Sequence, residues 1–264
     1  VAGRYTSLEN MLDAEPLDAV FVAAPAHLNG EMAKPCLKMG VNTFVEKPPG
    51  LSVSETSELR DIAARTGAKG MVGWNRRFHP MIVKAREMVE ARGAVTQLVG
   101  EFHNSITRDA ASGMFPESVL DNMLLESPIH SIDLMRAIAG AEIAEVHSVV
   151  RRAMSDYKDV YGALVLFENG CLLHLIHNYT TDARLERYEI HGREISAYIE
   201  GIAQGVVFCD GERHELSDGG KNDTEIQARY FIDCVKESRN PSSNFADAVK
   251  TWELIHRIYE SAGA

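Results

Sequence analysis

The run Asp18-Ala19-Val20-Phe21-Val22-Ala23-Ala24-Pro25 is apolar and ends on a proline, as a buried strand running into a loop does. Gly30 to Met39 follows with a helical pattern closed by Gly40, and Asn42 to Val45 is a second short strand leading directly into Glu46-Lys47-Pro48. Strands alternating with helices of this length imply a parallel sheet. In such sheets ligands bind at the carboxyl edge of the strands. Lys47 stands at that edge, on a loop held by Pro48 and Pro49. A lysine there serves as a proton donor or a charge anchor, whereas an isolated one is more often a solvated surface charge.

The alternation continues. Ser52-Val53-Ser54-Glu55 is a capping box, and the helix after it buries Val53, Leu59, Ile62 and Ala63 and stops at Gly67. Gly70 to Trp74 reads as a third strand. Near the start, Thr6-Ser7-Leu8-Glu9 is a second capping box, opening a short helix with Leu8, Met11 and Leu12 on one face. Pro80 opens a further helix, and the domain boundary is expected at Phe78-His79-Pro80. The predicted fold is α/β. Residues 1–79 form a partial Rossmann (doubly wound) domain, and residues 80–264 an α+β domain with a large, open, mainly antiparallel sheet.

In the second part, Val95 to His103 reads as a strand, 104–116 as a long polar loop and 117–139 as helix. From 145 to 217 strands follow one another, with two-residue turns at Asn169-Gly170 and Asp210-Gly211. Tyr161, Ala163, Val165 and Phe167 alternate with Val160, Leu164 and Leu166, so both faces of that strand are apolar. Helices can cover one face of the sheet. The other is expected to be covered by a second copy, giving a homo-oligomer (dimer or tetramer) through the open sheet face.

Composition excludes some partners. The 27 basic residues against 38 acidic ones give a net charge of −11, which argues against nucleic acid or an anionic membrane as partner. No run of 18 apolar residues occurs. Cys36, Cys171, Cys209 and Cys234 have no C-x-x-C spacing and read as reduced, buried thiols of a cytoplasmic protein. No metal site is expected. His174 and His177 lie three apart in a strand and so on opposite faces, and Gly219-Gly220-Lys221 lacks the upstream glycine of a phosphate loop.

Glu126 and His130 are four residues apart, which on a helix puts them on one face, with Asp133 three further on. A carboxylate beside an imidazole orients it and raises its basicity, as general acid–base chemistry requires. Glu101 and His103 share a strand face and are candidates for lining a substrate cleft.

Four elements fall in order: Ala24-Pro25-Ala26-His27, Glu46-Lys47-Pro48, Asn75-Arg76-Arg77-Phe78-His79-Pro80, and Glu126-x-x-x-His130-x-x-Asp133. Together they resemble the Gfo/Idh/MocA family of NAD(P)-dependent oxidoreductases over nearly the whole chain. The resemblance implies NAD or NADP as cofactor and a sugar, cyclitol or related polyol as small-molecule substrate. It also implies a catalytic trio of Lys47, Glu126 and His130 facing one cleft. Cofactor contacts are expected from Ala24, Pro25, His27, Glu46, Lys47, Pro48, Asn75 and Arg76, and substrate contacts from Lys47, Glu101, His103, His130 and Asp133. Two further readings belong to the same fold: an NAD-dependent glycoside hydrolase and a non-catalytic or regulatory member.

The chain departs from the family pattern in three places. Glu126 stands where aspartate is commoner, and Pro128 replaces a glycine, so the helix is expected to start or kink there with Ser127 as its cap. No G-x-G occurs anywhere, although the family holds the cofactor pyrophosphate on a G-x-G-x-x-G turn. With the abrupt opening at Val1, this gives the expectation of a fragment lacking a β-α-β unit of about 30 residues. Such a chain would by itself bind nicotinamide dinucleotides poorly.

Overall fold

The structure is a computed structural model that describes residues 3–264; Val1 and Ala2, where the abrupt opening was noted, lie outside the described residues. The chain divides into two compact units. The first runs to Trp74 and regains Thr224–Trp252, and the second comprises Asn75–Asp223 with Glu253–Ala264. This differs from two contiguous domains meeting at residue 79. The Asn75–Phe78 turn goes with the second unit because Arg76 and Arg77 are tied there, to Glu186 and Asp133. The returning stretch goes with the first because Phe231 packs on Phe21 and Phe44.

In the first unit, α1 (Leu8–Ala14) precedes β1 (Ala19–Val22), α2 (Ala26–Lys38), β2 (Asn42–Val45), α3 (Val53–Thr66) and β3 (Gly70–Val72). The strands are parallel in the order β1-β2-β3. The cap of α1 is Ser7, whose hydroxyl accepts from the Asn10 N–H at 3.3 Å, one residue later than the expected box. At α3 the Ser52 hydroxyl accepts from the Glu55 N–H at 3.1 Å, while the Glu55 carboxylate reaches back to the Leu51 N–H at 2.8 Å. α2 starts well before the expected Gly30, because Pro25 is extended and Ala26 begins the helical turn. Phe21 and Phe44 stack at 5.0 Å with Phe231 against both, and Gly70 leaves room for the Phe245 ring.

The second unit opens with a 3-10 turn (Asn75–Phe78) and α4 (Pro80–Glu90), which has Pro80 in its first turn. β4 (Gln97–Ser105) follows. The segment expected as loop and long helix is instead α5 (Ile106–Ala111), α6 (Glu117–Leu120), a 3-10 turn (Met123–Leu125) and α7 (Pro128–Ala139). α5 forms because the Ser105 hydroxyl caps it on the Arg108 N–H and Ile106 is buried. Pro128, with no N–H to give, sits at the start of α7, where none is needed.

Seven strands then complete the sheet: β5 (Ile143–Arg151), β6 (Val160–Phe167), β7 (Leu172–Asn178), β8 (Thr180–Gly192), β9 (Ile195–Glu200), β10 (Gln204–Cys209) and β11 (Glu212–Leu216). Their order is β11-β10-β9-β8-β4-β7-β6-β5, with β4 and β7 parallel and the other pairs antiparallel. Asp210 and Gly211 both have positive φ, as a two-residue hairpin turn demands. The chain ends in α8 (Asp223–Lys236) and α9 (Phe245–Ala262).

The sheet is asymmetric. A Cβ on Gly100 would meet Met135 and Ser131 of α7, one on Gly205 would meet Met81 of α4, and Tyr161 touches Tyr259 of α9. These helices therefore cover one face. On the other face, Leu164, Leu166 and Tyr198 are half-buried, while Ile176 and Phe208 are 43% and 44% exposed. Among the described residues no helix is long and apolar enough to cross a membrane, and no group of three metal-binding side chains gathers. The four cysteines are free. Cys36, Cys171 and Cys234 are buried, whereas Cys209, expected to be so, is half-buried near a hairpin turn.

Candidate functional site

In the first unit, β1 and β2 end side by side at Val22 and Val45, so Ala23–Pro25 and Glu46–Gly50 emerge together at the carboxyl edge. One side chain fixes both loops. Asn29, in the second turn of α2 and 0% exposed, accepts from the Ala24 N–H at 3.2 Å. It donates to the carbonyls of Glu46 at 3.0 Å and Pro48 at 3.1 Å. Gly30 beside it lets the Pro49 carbonyl close on the helix, 3.0 Å from where a Cβ would stand. Asn29 was not among the expected residues. Its only signal in the sequence is an amide placed on the buried side of a helix.

Lys47 is half-buried on this pinned loop, and the Lys47–Pro48 peptide is cis. Burial raises the Glu46 carboxyl above its usual range, opposed by the Lys47 N–H and ammonium. That carboxylate accepts from the Lys47 N–H at 3.2 Å, and its other oxygen lies 3.2 Å from where a Cβ on Gly73 would be. Pro25 and His27 are exposed at the start of α2, and Ala24 is half-buried.

The second unit holds His130 in the first turn of α7, its N–H donating to the Ser127 carbonyl at 3.2 Å. Glu126 lies ahead of the helix, with φ −95° and ψ −107°. The shared helix face expected of Glu126 and His130 is therefore not what relates them. Ser127, expected as the cap, makes no capping bond and donates instead to the Glu126 carboxylate at 2.6 Å. Asp133 also departs from expectation. It is 1% exposed and takes a two-pronged bond from Arg77, at 2.7 and 2.6 Å, so it is a buried anchor of α7 rather than a substrate contact.

The start of α7 is held from the sheet side. Ser131 donates to the Pro128 carbonyl at 2.8 Å and lies 2.8 Å from His177 Nε2, which leaves the imidazole as the donor in that second bond. Burial, helped by His103, pushes His177 down to about 3, so it remains neutral. Glu101 and His103 share a strand face as expected, 3.5 Å apart, with Arg187 at 3.7 Å from Glu101. Strand alternation puts them on the face turned away from α7, because Gly100 points at it. They do not line the side of the sheet that carries His130.

Asn75 and Arg76, expected against the cofactor, are engaged within the second unit. Asn75 donates to Asp223 at 3.1 Å. The Arg76 guanidinium grips Glu186 at 2.5 and 3.2 Å and reaches Asp223 at 3.5 Å, and the Tyr188 hydroxyl donates to Glu186 at 2.6 Å. Burial by itself would raise the Glu186 carboxyl, but the bonds and charge of Arg76, with Tyr188, overcome it and bring it from 4.5 to about 2.

Two measurements test these frames. Asn29→Leu strands one N–H and two carbonyls; urea unfolding is expected to show a loss on the order of 3 kcal/mol. Amide exchange should quicken in 46–50 before it does in α3, and unchanged exchange there would remove Asn29 as the clamp. Because Glu186 has a depressed folded pKa, its contribution is complete above about 4.5 and is lost as pH falls toward about 2. The shift is worth about 3 kcal/mol. Glu186→Gln should therefore lower stability at pH 7 and flatten the stability profile between pH 4.5 and 2; a parallel profile would contradict the assignment.

Comparison with known proteins agrees with this architecture. Residues 1–74 match the family model described as an oxidoreductase family with NAD-binding Rossmann fold, and residues 82–198 match the GFO/IDH/MocA C-terminal domain. The chain is 26% identical over 270 residues to scyllo-inositol 2-dehydrogenase (NAD(+)) of Bacillus subtilis strain 168, covering 92% of this chain and 75% of that protein. It is 23% identical over 272 residues to 4-carboxy-2-hydroxymuconate-6-semialdehyde dehydrogenase of Sphingobium sp. strain NBRC 103272 / SYK-6, covering 98% and 85%. Among solved structures, UDP-N-acetylglucosamine 3-dehydrogenase from Acidithiobacillus ferrooxidans superimposes with a TM-score of 0.85 at 19% identity, over 97% of this chain and 82% of that one. With both of its domains matched in order, the chain belongs to the Gfo/Idh/MocA family of NAD-binding oxidoreductases.

Proposed function

We propose that the protein transfers a hydride between NAD or NADP and a carbinol carbon of a sugar, cyclitol or related polyol. The observation that carries this reading is Lys47 held on a loop pinned at the carboxyl edge of a parallel sheet. That edge suits the nicotinamide side of the cofactor: the Ala24-Pro25 loop and Glu46-Lys47-Pro48 would hold it, with their backbone ordered by Asn29. When bound, the cofactor supplies the hydride acceptor. The Lys47 ammonium holds the carbinol oxygen, and His130 takes the hydroxyl proton as general base. Glu126 contributes a carboxylate oriented by Ser127 rather than by helix register.

A relative named for scyllo-inositol supports a cyclitol or sugar substrate, while another is named for a semialdehyde. A cytoplasmic location belongs to the same reading, supported by the free cysteines. In the full-length protein, His130→Ala is expected to lower kcat by roughly 100-fold or more with cofactor affinity nearly unchanged. Lys47→Ala should damage both. Cleavage of glycosides with no net change in nicotinamide absorbance would replace this reading with the hydrolase. Equal loss of cofactor affinity in both variants would remove His130 from the base role.

The reading includes a homo-oligomer through the open sheet face. Helices occupy the opposite face, while Ile176 and Phe208 stay about half exposed on this one. A second copy seated here would cover these apolar side chains. Light scattering at micromolar concentration is expected to give at least twice the 29.2 kDa chain mass, and Ile176→Glu to shift it toward one chain. A monodisperse monomer for the unmodified protein overturns the assembly.

A further inference from the structure

Behind β4, the short helix α5 is fastened to the corner where β7 passes into β8. The Ile106 N–H donates to the Tyr179 carbonyl at 2.7 Å, Thr181 Oγ1 donates to the Asn104 carbonyl at 3.0 Å, and Ser105 pairs with Thr180 in the sheet. On this platform, Asn104 Nδ2 donates to the Asp109 carboxylate at 3.1 Å and so fixes it. Tyr179 is 1% exposed, with its ring 5.9 Å from that of Phe102, and its hydroxyl has no hydrogen-bond partner among the described residues. A buried hydroxyl left without a partner carries an uncompensated desolvation cost. A ligand oxygen that accepts from it would satisfy it.

The surroundings say which ligand. Burial, then the charges of Glu126 and Asp109, hold the proton on Tyr179, so the phenol is a donor. Burial, then Glu126, also raises the Asp109 carboxyl, which places both carboxylates within electrostatic reach of one another and of the phenol. Arg108 and Arg184 pull Asp109 the other way, yet each is directed elsewhere. Arg108 donates to the Asp182 carbonyl, and Arg184 lies over Phe102 with an ion pair to Glu186 at 3.3 Å.

We propose that Tyr179, Asp109 and Glu126 form a subsite for a hydroxyl-bearing stretch of an uncharged polyol, the phenol donating to a substrate oxygen and the carboxylates accepting from its hydroxyls. This deepens the polyol reading above and rests on it. The subsite selects against sugar acids and phosphorylated sugars, whose negative charge would meet two carboxylates. It makes Asp109 and Tyr179 specificity-determining residues, the first on a segment whose sequence reads as plain polar loop and the second at the corner between β7 and β8.

The test uses full-length protein with NAD or NADP, with myo-inositol and D-xylose as neutral probes and D-glucuronate as the anionic one. Tyr179→Phe removes only a hydroxyl that makes no bond within the chain, so Tm is expected to stay level or rise. KM for the better neutral probe should nevertheless increase roughly tenfold or more. A structural role for Tyr179 would not separate these two readouts. Asp109→Asn should raise the same KM and narrow the preference for the neutral probe over D-glucuronate, with the pH profile of kcat unmoved. Unchanged KM in both variants overturns the subsite while the oxidoreductase reading stands. A fall in kcat at constant KM overturns it too, since it moves these residues into the chemical step. If no neutral polyol reduces the cofactor, the oxidoreductase reading fails and the subsite with it.

Discussion

Two adjacent arginines hold the second unit in register. Arg77 grips Asp133 on α7 and Arg76 grips Glu186 on β8, each through two short bonds and each nearly out of contact with water. Breaking one partner of such a pair leaves a buried charge and costs about 3–5 kcal/mol, although an apolar replacement of the whole pair is often neutral. What the pairs supply is therefore geometry more than net stability. The 3-10 turn at Asn75–Phe78 becomes a fixed point from which a helix and a strand are set. His130 rides on that helix three residues from Asp133, and Glu186 lies on the strand whose neighbouring residues carry Tyr188 and Arg184.

The same logic on a smaller scale operates in the first unit. There, one neutral amide does for two loops what the arginines do for a helix and a strand. Asn29 engages its side-chain oxygen and its amide group with backbone groups from the loop just before it and from segments 17 and 19 residues further on. A neutral amide suits this position because it satisfies carbonyls and an N–H together without burying a charge.

The parts of this architecture legible in the sequence are those with local periodicity. The strands at 19–22 and 42–45, the helix after Ser52 and the hairpin at Asp210-Gly211 follow from patterns a few residues long. Other parts have no local signature. Phe231 and Phe245 return to the first unit across more than half of the chain, and nothing near them in sequence announces it. α5 is one and a half turns long, too short for an apolar stripe, and its helix is set by the Ser105 cap. For the candidate site, the sequence offered residues but not their geometry. The four-residue spacing of Glu126 and His130 loses its meaning once Pro128 starts the helix between them. Asp133 and Arg76 look like ligands for small molecules because they are charged, and they are instead counter-ions within the unit, Asp133 to Arg77 and Arg76 to Glu186.

Two side chains in the frame of the second unit, His177 and Glu186, keep one charge state from neutral pH well into the acid range. Burial holds His177 neutral down to about 3, so its bond to Ser131, and through it the hold on the Pro128 carbonyl, does not change between acid and neutral pH. Glu186 stays ionised down to about 2 against Arg76. His177 itself contributes a decline in stability below pH 6.5, because the unfolded chain takes up a proton that the folded imidazole refuses until about 3. That decline belongs to the folding equilibrium and leaves the folded geometry at α7 as it was. An acid limb in the activity of correctly folded enzyme is therefore not owed to the titration of His177 or Glu186, which burial and pairing hold in one state there.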